Sequence, residues 1–258
     1  MNKIPILMYH ALEDYEFSSG LKDPGERAYI VMADQFEKHL HYLYQNRYQT
    51  ILLKDLTSHN PLPEKPIILT FDDGHLSDYS IAFPLLMKYG FKADFFITTS
   101  YMNDRKYLLP DQVKEMSCAG MGIGSHTVTH NFLTDLNDDS IEKELSVSKD
   151  ELKCITGKNI DTLSAPGGRI DGKVQRIARQ IGYSIICGSQ TGLARPGHGE
   201  VLPRIALRMG TDIAEYEKIT SGNTLYYQKQ RLRCLALSTL KTILGNTIYA
   251  NLHRRFHA

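Results

Sequence analysis

Eight short apolar runs, each bounded by turn residues and most followed by a segment of helical spacing, constrain this 258-residue chain more than any other feature. They lie at residues 4–9, 48–52, 67–71, 93–98, 121–125, 162–165, 184–187 and 201–207. Between them, residues 33–46, 77–89, 111–119, 138–156 and 172–181 repeat apolar side chains at helical intervals; Ile141, Leu145, Leu152 and Ile155 mark one face of the fourth. Asp138 or Asp139 is expected to cap that helix. Strand and helix alternating in this way predict an α/β fold with a parallel sheet, closed as a barrel. Such barrels reach about 200 to 250 residues around one core, so one catalytic domain over residues 1–217 accounts for most of the chain. Two irregular stretches, 13–27 and 190–200, are expected at the barrel mouth, where loops after parallel strands build active sites.

Hydrophobic residues at 42% and charged residues at 23% give no case for global disorder. Trp is absent, yet 15 Tyr and 9 Phe leave flat faces on which a sugar ring can stack. The apolar run at 4–9 is too short for a signal peptide, and a cytoplasmic location is expected. Cys118, Cys154, Cys187 and Cys234 are widely spaced and read as reduced core thiols. The net charge of +1 hides a division: residues 218–258 hold seven Lys or Arg and no acid, leaving 23 bases against 29 acids before them. That acidic majority argues against nucleic-acid binding. The tail reads as a basic helical extension in which Leu237, Leu240, Leu244, Ile248 and Leu252 form an apolar stripe. It can pack on the barrel or lie at the inner face of a membrane as a peripheral contact.

The first chemical signal is Leu69-Thr70-Phe71-Asp72-Asp73-Gly74-His75, a strand that runs directly into two carboxylates. Adjacent side chains at a strand end leave in different directions, so one can ligate a metal while the other takes a proton from water. Asp-Asp-Gly is also a common turn. The second signal is Gly124-Ser125-His126-Thr127-Val128-Thr129-His130, whose imidazoles four residues apart would share one face of a helical turn and one metal. With Asp73 they make a His-His-carboxylate set with open coordination positions.

These two motifs, in this order and separation, resemble those of the polysaccharide deacetylases of carbohydrate esterase family 4, with the NodB-homology domain, over roughly residues 4–210. The resemblance implies a distorted (β/α)7-type barrel, a divalent metal (zinc first, cobalt or nickel also suitable) on Asp73, His126 and His130, and Asp72 as general base. The family's third motif, Arg-x-Pro-Tyr-Gly, is replaced by Ser164-Ala165-Pro166-Gly167-Gly168, so its arginine and tyrosine are missing; Pro166, Gly167 and Gly168 are expected to face substrate. Arg204 can replace the arginine beside Asp72, or can be an ordinary surface arginine. The family's late Leu-x-x-His has no copy after residue 210, where His253 and His257 sit in the basic tail, but Leu7-Met8-Tyr9-His10 opens the chain. In a closed barrel a strand moved from last to first fills the same slot, so the domain is expected to be circularly permuted, with His10 as general acid. The other reading of His10 is a histidine that ends a core strand. The permuted arrangement resembles the branch that acts on exopolysaccharide such as poly-N-acetylglucosamine, and implies hydrolysis of an N-acetylated amino-sugar glycan to acetate and amine. A hydrolase of another carbon–nitrogen bond, or an inactive glycan-binding module, is the alternative.

Overall fold

In the computed structural model, which describes residues 3–58, 60–197 and 201–233, the apolar runs become parallel strands of one curled sheet. In chain order the elements are β1 (Ile6–Tyr9), β2 (Leu12–Glu13), α1 (Pro24–Arg27), β3 (Val31–Met32), α2 (Ala33–Gln45), β4 (Gln49–Thr50), β5 (Pro66–Phe71), α3 (Phe83–Tyr89), β6 (Asp94–Ile97), α4 (Pro110–Cys118), β7 (Gly122–Ser125), α5 (Asp138–Thr156), β8 (Thr162–Ser164), α6 (Gly172–Ile181), β9 (Ile185–Cys187), β10 (Ile205–Ala206) and α7 (Ile213–Thr220). The main sheet runs β10-β1-β5-β6-β7-β8-β9, with β4 on β5; β2 and β3 form a separate pair. Leu202 bridges to Cys187 beside β9, and Ile205 pairs with Leu7 of β1, so one short segment joins the two edges. The first strand therefore lies between the last strand and β5, where a strand moved from last to first belongs.

The continuous apolar run of β5 is buried on both faces, as a covered parallel strand requires. Ile6, Ile68, Phe96 and Ile185 fill the interior, while Leu7, Leu69, Phe95 and Ile186 alternate outward beneath the helices. Phe36, His39, Leu40 and Leu43 give α2 its buried stripe.

Several local expectations are corrected. Asn137, not Asp138 or Asp139, caps α5: its side chain accepts from the N–H of Ser140 at 2.9 Å, and the two aspartates occupy the first turn. The helix expected at 77–89 opens as a π-turn over Asp78–Ala82, because Pro84 has no N–H to donate to the turn before it. The last apolar run pairs only briefly, because Pro203 cannot donate to a ladder. Only the start of the 190–200 stretch lies beside the mouth, where the Gln190 carbonyl accepts from the Arg204 backbone N–H at 3.1 Å and Gln190 neighbours Gly168; the rest of its described residues run away from it. Two backbone bonds tie Ala194 to Ile4, at the opposite end of the barrel. Cys118 and Cys154 are exposed rather than in the core; Cys187 is buried. Position 217 falls inside α7, and Ile219 and Tyr227 beyond it are core residues. Cys234 and the tail stripe from Leu237 to Leu252, with His253 and His257, lie outside the described residues. Among the described residues no helix is long and apolar enough to cross a membrane.

Candidate active site

The site sits where β5 ends. Ile68, Thr70 and Asp72 share the inward face of that strand by its two-residue period. At Asp73 and Gly74 the chain leaves the pleat with φ of 79° at both residues. Gly74 has no Cβ to strike Ile97, which one would meet at 3.2 Å. A non-glycine residue held at positive φ costs on the order of 1–3 kcal/mol, and such strain collects at functional sites. The result is that Asp72 and Asp73 point to different places.

Asp72, 3% exposed, meets Arg204, 1% exposed, in a two-pronged pair: Nη1 to Oδ1 and Nη2 to Oδ2, both 2.7 Å. Arg204 also donates from Nε to the Gly188 carbonyl at 2.9 Å, from Nη1 to Thr70 Oγ1 at 3.2 Å and from Nη2 to Ser164 Oγ at 2.7 Å. Ser164 in turn donates to Asp72 Oδ2 at 3.1 Å. The small serine at the vacated motif position thus leaves room for a guanidinium from the segment just before β10, and Arg204 is no surface residue. Burial pushes the Asp72 carboxyl up, but Arg204, His126 and His10 together outweigh it and hold the group below its ordinary value.

His126 and His130 follow β7, and they converge through a bend rather than a helical turn. Thr127 and His130 both have positive φ, at 69° and 60°, which no helix allows. Glu144 of α5 pins the bend: its carboxylate accepts from the backbone N–H of Val128 and of Thr129, each at 2.9 Å, and from the Thr129 hydroxyl at 2.6 Å. His126 Nδ1 lies 2.8 Å from the Ser164 carbonyl, which only accepts, so that nitrogen carries the proton and Nε2 is free to ligate. Nε2 of His126 and Nε2 of His130 each lie 3.3 Å from Asp73 Oδ1.

The three ligand atoms lie within 4.8 Å of one another, and Asp73 Oδ1 is buried with no hydrogen-bond partner among the described residues. A buried carboxylate oxygen facing two imidazole nitrogens, with no hydrogen bond of its own among the described residues, matches a donor set able to hold a divalent cation. Burial raises the Asp73 carboxyl, but His126, His130 and His75 reverse this and hold it well below its ordinary value.

His10, at the end of β1, enters the same cleft of about 380 Å³, with its ring 5.0 Å from that of Tyr29 and its Nδ1 without a partner among the described residues. Burial pushes this imidazole down, opposed by Asp73 and Asp72 without being reversed. Gly167 and Gly168 line the cleft in left-handed backbone, whereas Pro166 is buried and outside its lining. A Cβ on Gly168 would lie 1.9 Å from Ser189 Oγ, so this wall admits no side chain. The α1 turn brings Asp23 and Glu26 into the lining, and Tyr101, Tyr107 and Phe132 supply aromatic surface.

Sequence reasoning missed His75, Glu144 and these aromatic residues. His75 stood inside the first motif; Glu144 had no local signal, because its partners lie across a bend. Replacing Glu144 with Ala removes three bonds from that bend. The expected outcome is zinc affinity about 10-fold or more weaker, as for other groups that orient metal ligands, read by competition with a chromogenic chelator.

Comparison with known proteins agrees with this geometry. Residues 59–186 match the family model described as polysaccharide deacetylase. YxkH of Bacillus subtilis, whose name assigns it provisionally to the polysaccharide deacetylases, is 32% identical over 201 residues, covering 76% of this chain and 68% of its own. The Bacillus subtilis peptidoglycan-N-acetylmuramic acid deacetylase PdaA is 33% identical over 125 residues, covering 48% of this chain and 46% of its own. Among solved structures, the Streptococcus pyogenes deacetylase PplD in complex with acetate superposes with a TM-score of 0.75 at 30% identity, covering 85% of this chain and 98% of that one. The chain belongs to the polysaccharide deacetylase family, hydrolases of amide carbon–nitrogen bonds.

Proposed function

We propose that the chain removes N-acetyl groups from N-acetylated amino sugars of a polysaccharide or glycan intermediate, with Asp72 as base and His10 as acid. The observation that carries this reading is the division at the end of β5: Asp72 is locked on Arg204 while Asp73 turns to His126 and His130. A divalent ion held by Asp73, His126 and His130, zinc best suited to that donor set, would supply Lewis acidity to the acetyl carbonyl and to the attacking water.

The chain's own side chains carry the proton traffic. Asp72, kept ionised by Arg204, accepts a proton from water as the oxygen attacks the acetyl carbon. His10, lining the same cleft, delivers a proton to the sugar nitrogen as the carbon–nitrogen bond breaks. Acetate and a free amine leave. The aromatic surface of Tyr101, Tyr107 and Phe132 offers faces for pyranose rings, and the glycine wall at Gly167 and Gly168 lets a glycan lie close to the reacting atoms.

The test is acetate release from N-acetylglucosamine oligomers, polymeric poly-N-acetylglucosamine, peptidoglycan and simple acetamides, with zinc-loaded full chain. Release is expected from the amino-sugar oligomers or polymer above that from acetamides. Equal release from simple amides would favour a broader carbon–nitrogen hydrolase. Absence of release from every substrate would favour a glycan-binding module.

A further inference from the structure

Asp73 uses its two oxygens differently. Oδ1 faces Nε2 of His126 and His130, while Oδ2 lies 3.3 Å from Nε2 of His75. His75 is buried on the turn directly after Gly74, and its ring stacks on Tyr107 with centroids 5.1 Å apart and planes at 21°. Its backbone bridges to Tyr107 as well, so ring and main chain are held by the same neighbour. His75 does not belong to the trio of converging ligand atoms. Its Nδ1 is buried and has no partner among the described residues, which leaves Nε2 as the nitrogen through which the side chain acts.

We propose that His75 is a positioning residue: its Nε2–H holds Asp73 Oδ2 and so restricts Asp73 to a single ligating oxygen, Oδ1, aimed at the His126 and His130 pair. This rests on the reading that those three side chains hold a divalent ion. A carboxylate can ligate through one oxygen or two, and the second mode occupies a position that water or the acetyl oxygen needs. A donor fixed on the outer oxygen removes that option and orients the inner one. Stacking on Tyr107 sets the ring before any ion arrives, which is how a supporting contact gives a site its precision. The competing role is packing alone, a buried ring that fills space against Tyr107.

Two substitutions in the full chain separate these roles. His75→Phe keeps a ring on Tyr107 and loses the donor; His75→Gln loses the ring and keeps an N–H near the place of Nε2. Chelated proteins are titrated with cobalt or zinc alone, by competition with a chromogenic chelator and by the cobalt absorption spectrum. The donor role predicts affinity about 10- to 100-fold weaker in His75→Phe with an altered cobalt spectrum, and recovery of most of that loss in His75→Gln. Packing alone predicts the reverse order, and that result, or equal affinity in all three proteins, would overturn the proposal. A readout that needs no variant is the ring nitrogen NMR spectrum of the chelated wild-type chain. A proton on Nε2 of His75 is expected there, and an unprotonated Nε2 would overturn the assignment. A wild-type chain that binds neither ion would overturn the metal reading itself and His75's role with it, an outcome distinct from a failure confined to the variants.

Discussion

Asp72→Asn is expected to lower acetate release by about 10³-fold, within the range that a positioned acid or base contributes, while zinc binding is retained. The amide keeps nearly the shape of the carboxylate and its one oxygen can accept from Ser164 and one Arg204 nitrogen, while its NH2 loses the other Arg204 bond and the group cannot take a proton from water. Asp73, His126 and His130 do not depend on Asp72 for their approach to one another. The measurement is turnover against bound zinc in the same preparation. A variant that keeps more than a tenth of wild-type turnover at full zinc occupancy would remove Asp72 from the role of base. Near-ultraviolet circular dichroism establishes that the variant is folded, because Arg204 loses its counter-charge in the same substitution.

Removing Arg204 has the second large effect, on stability as well as rate. The guanidinium is buried and makes five hydrogen bonds, so Arg204→Met leaves the Asp72 carboxylate in the interior with Ser164 as its remaining side-chain hydrogen-bond donor among the described residues. Breaking a buried pair from one side costs about 3–5 kcal/mol. In the intact pair the Asp72 carboxyl lies below its ordinary value, so its contribution is fully present above the unfolded value of about 4 and fades as pH falls through the lowered folded value. Without Arg204, burial is less opposed and pushes the carboxyl up. The variant is therefore expected to lose stability as pH rises, and to recover base function only at higher pH than the wild type. Combining Arg204→Met with Asp72→Asn should cost less stability than the sum of the two, because neither buried charge is then left alone. Urea unfolding across pH reads all of this; additive costs would mean that the pair is not coupled.

Much of the fold was legible because burial writes itself into the chain as unbroken apolar runs. β5 is apolar from Pro66 to Leu69 since both faces are covered, and α5 and α6 carry clear apolar periodicity. Elements defined by what they lack were harder to read. The missing N–H of Pro84 turned the start of one helix into a π-turn, and the missing N–H of Pro203 shortened the last strand. The site divides in the same way. Asp73, His126 and His130 were found by spacing, yet the geometry that joins them comes from three left-handed residues, Asp73, Thr127 and His130, and a distant glutamate, not from helical periodicity. Arg204 stayed ambiguous because a guanidinium reads alike at a surface and in a core. Only the three-dimensional partners Asp72, Thr70, Ser164 and Gly188 decide between them. His75 was overlooked within a motif already quoted, since its meaning depends on which oxygen of Asp73 it faces.

The most direct test of the account is a titration of the chelated full chain with zinc, following bound metal and acetate release from N-acetylglucosamine oligomers in the same samples. No release is expected from the chelated chain, and release is expected to rise in proportion to bound zinc until one ion is held per chain. Release that survives chelation, or a chain that binds one zinc ion and releases no acetate from any N-acetylated glycan, would contradict it.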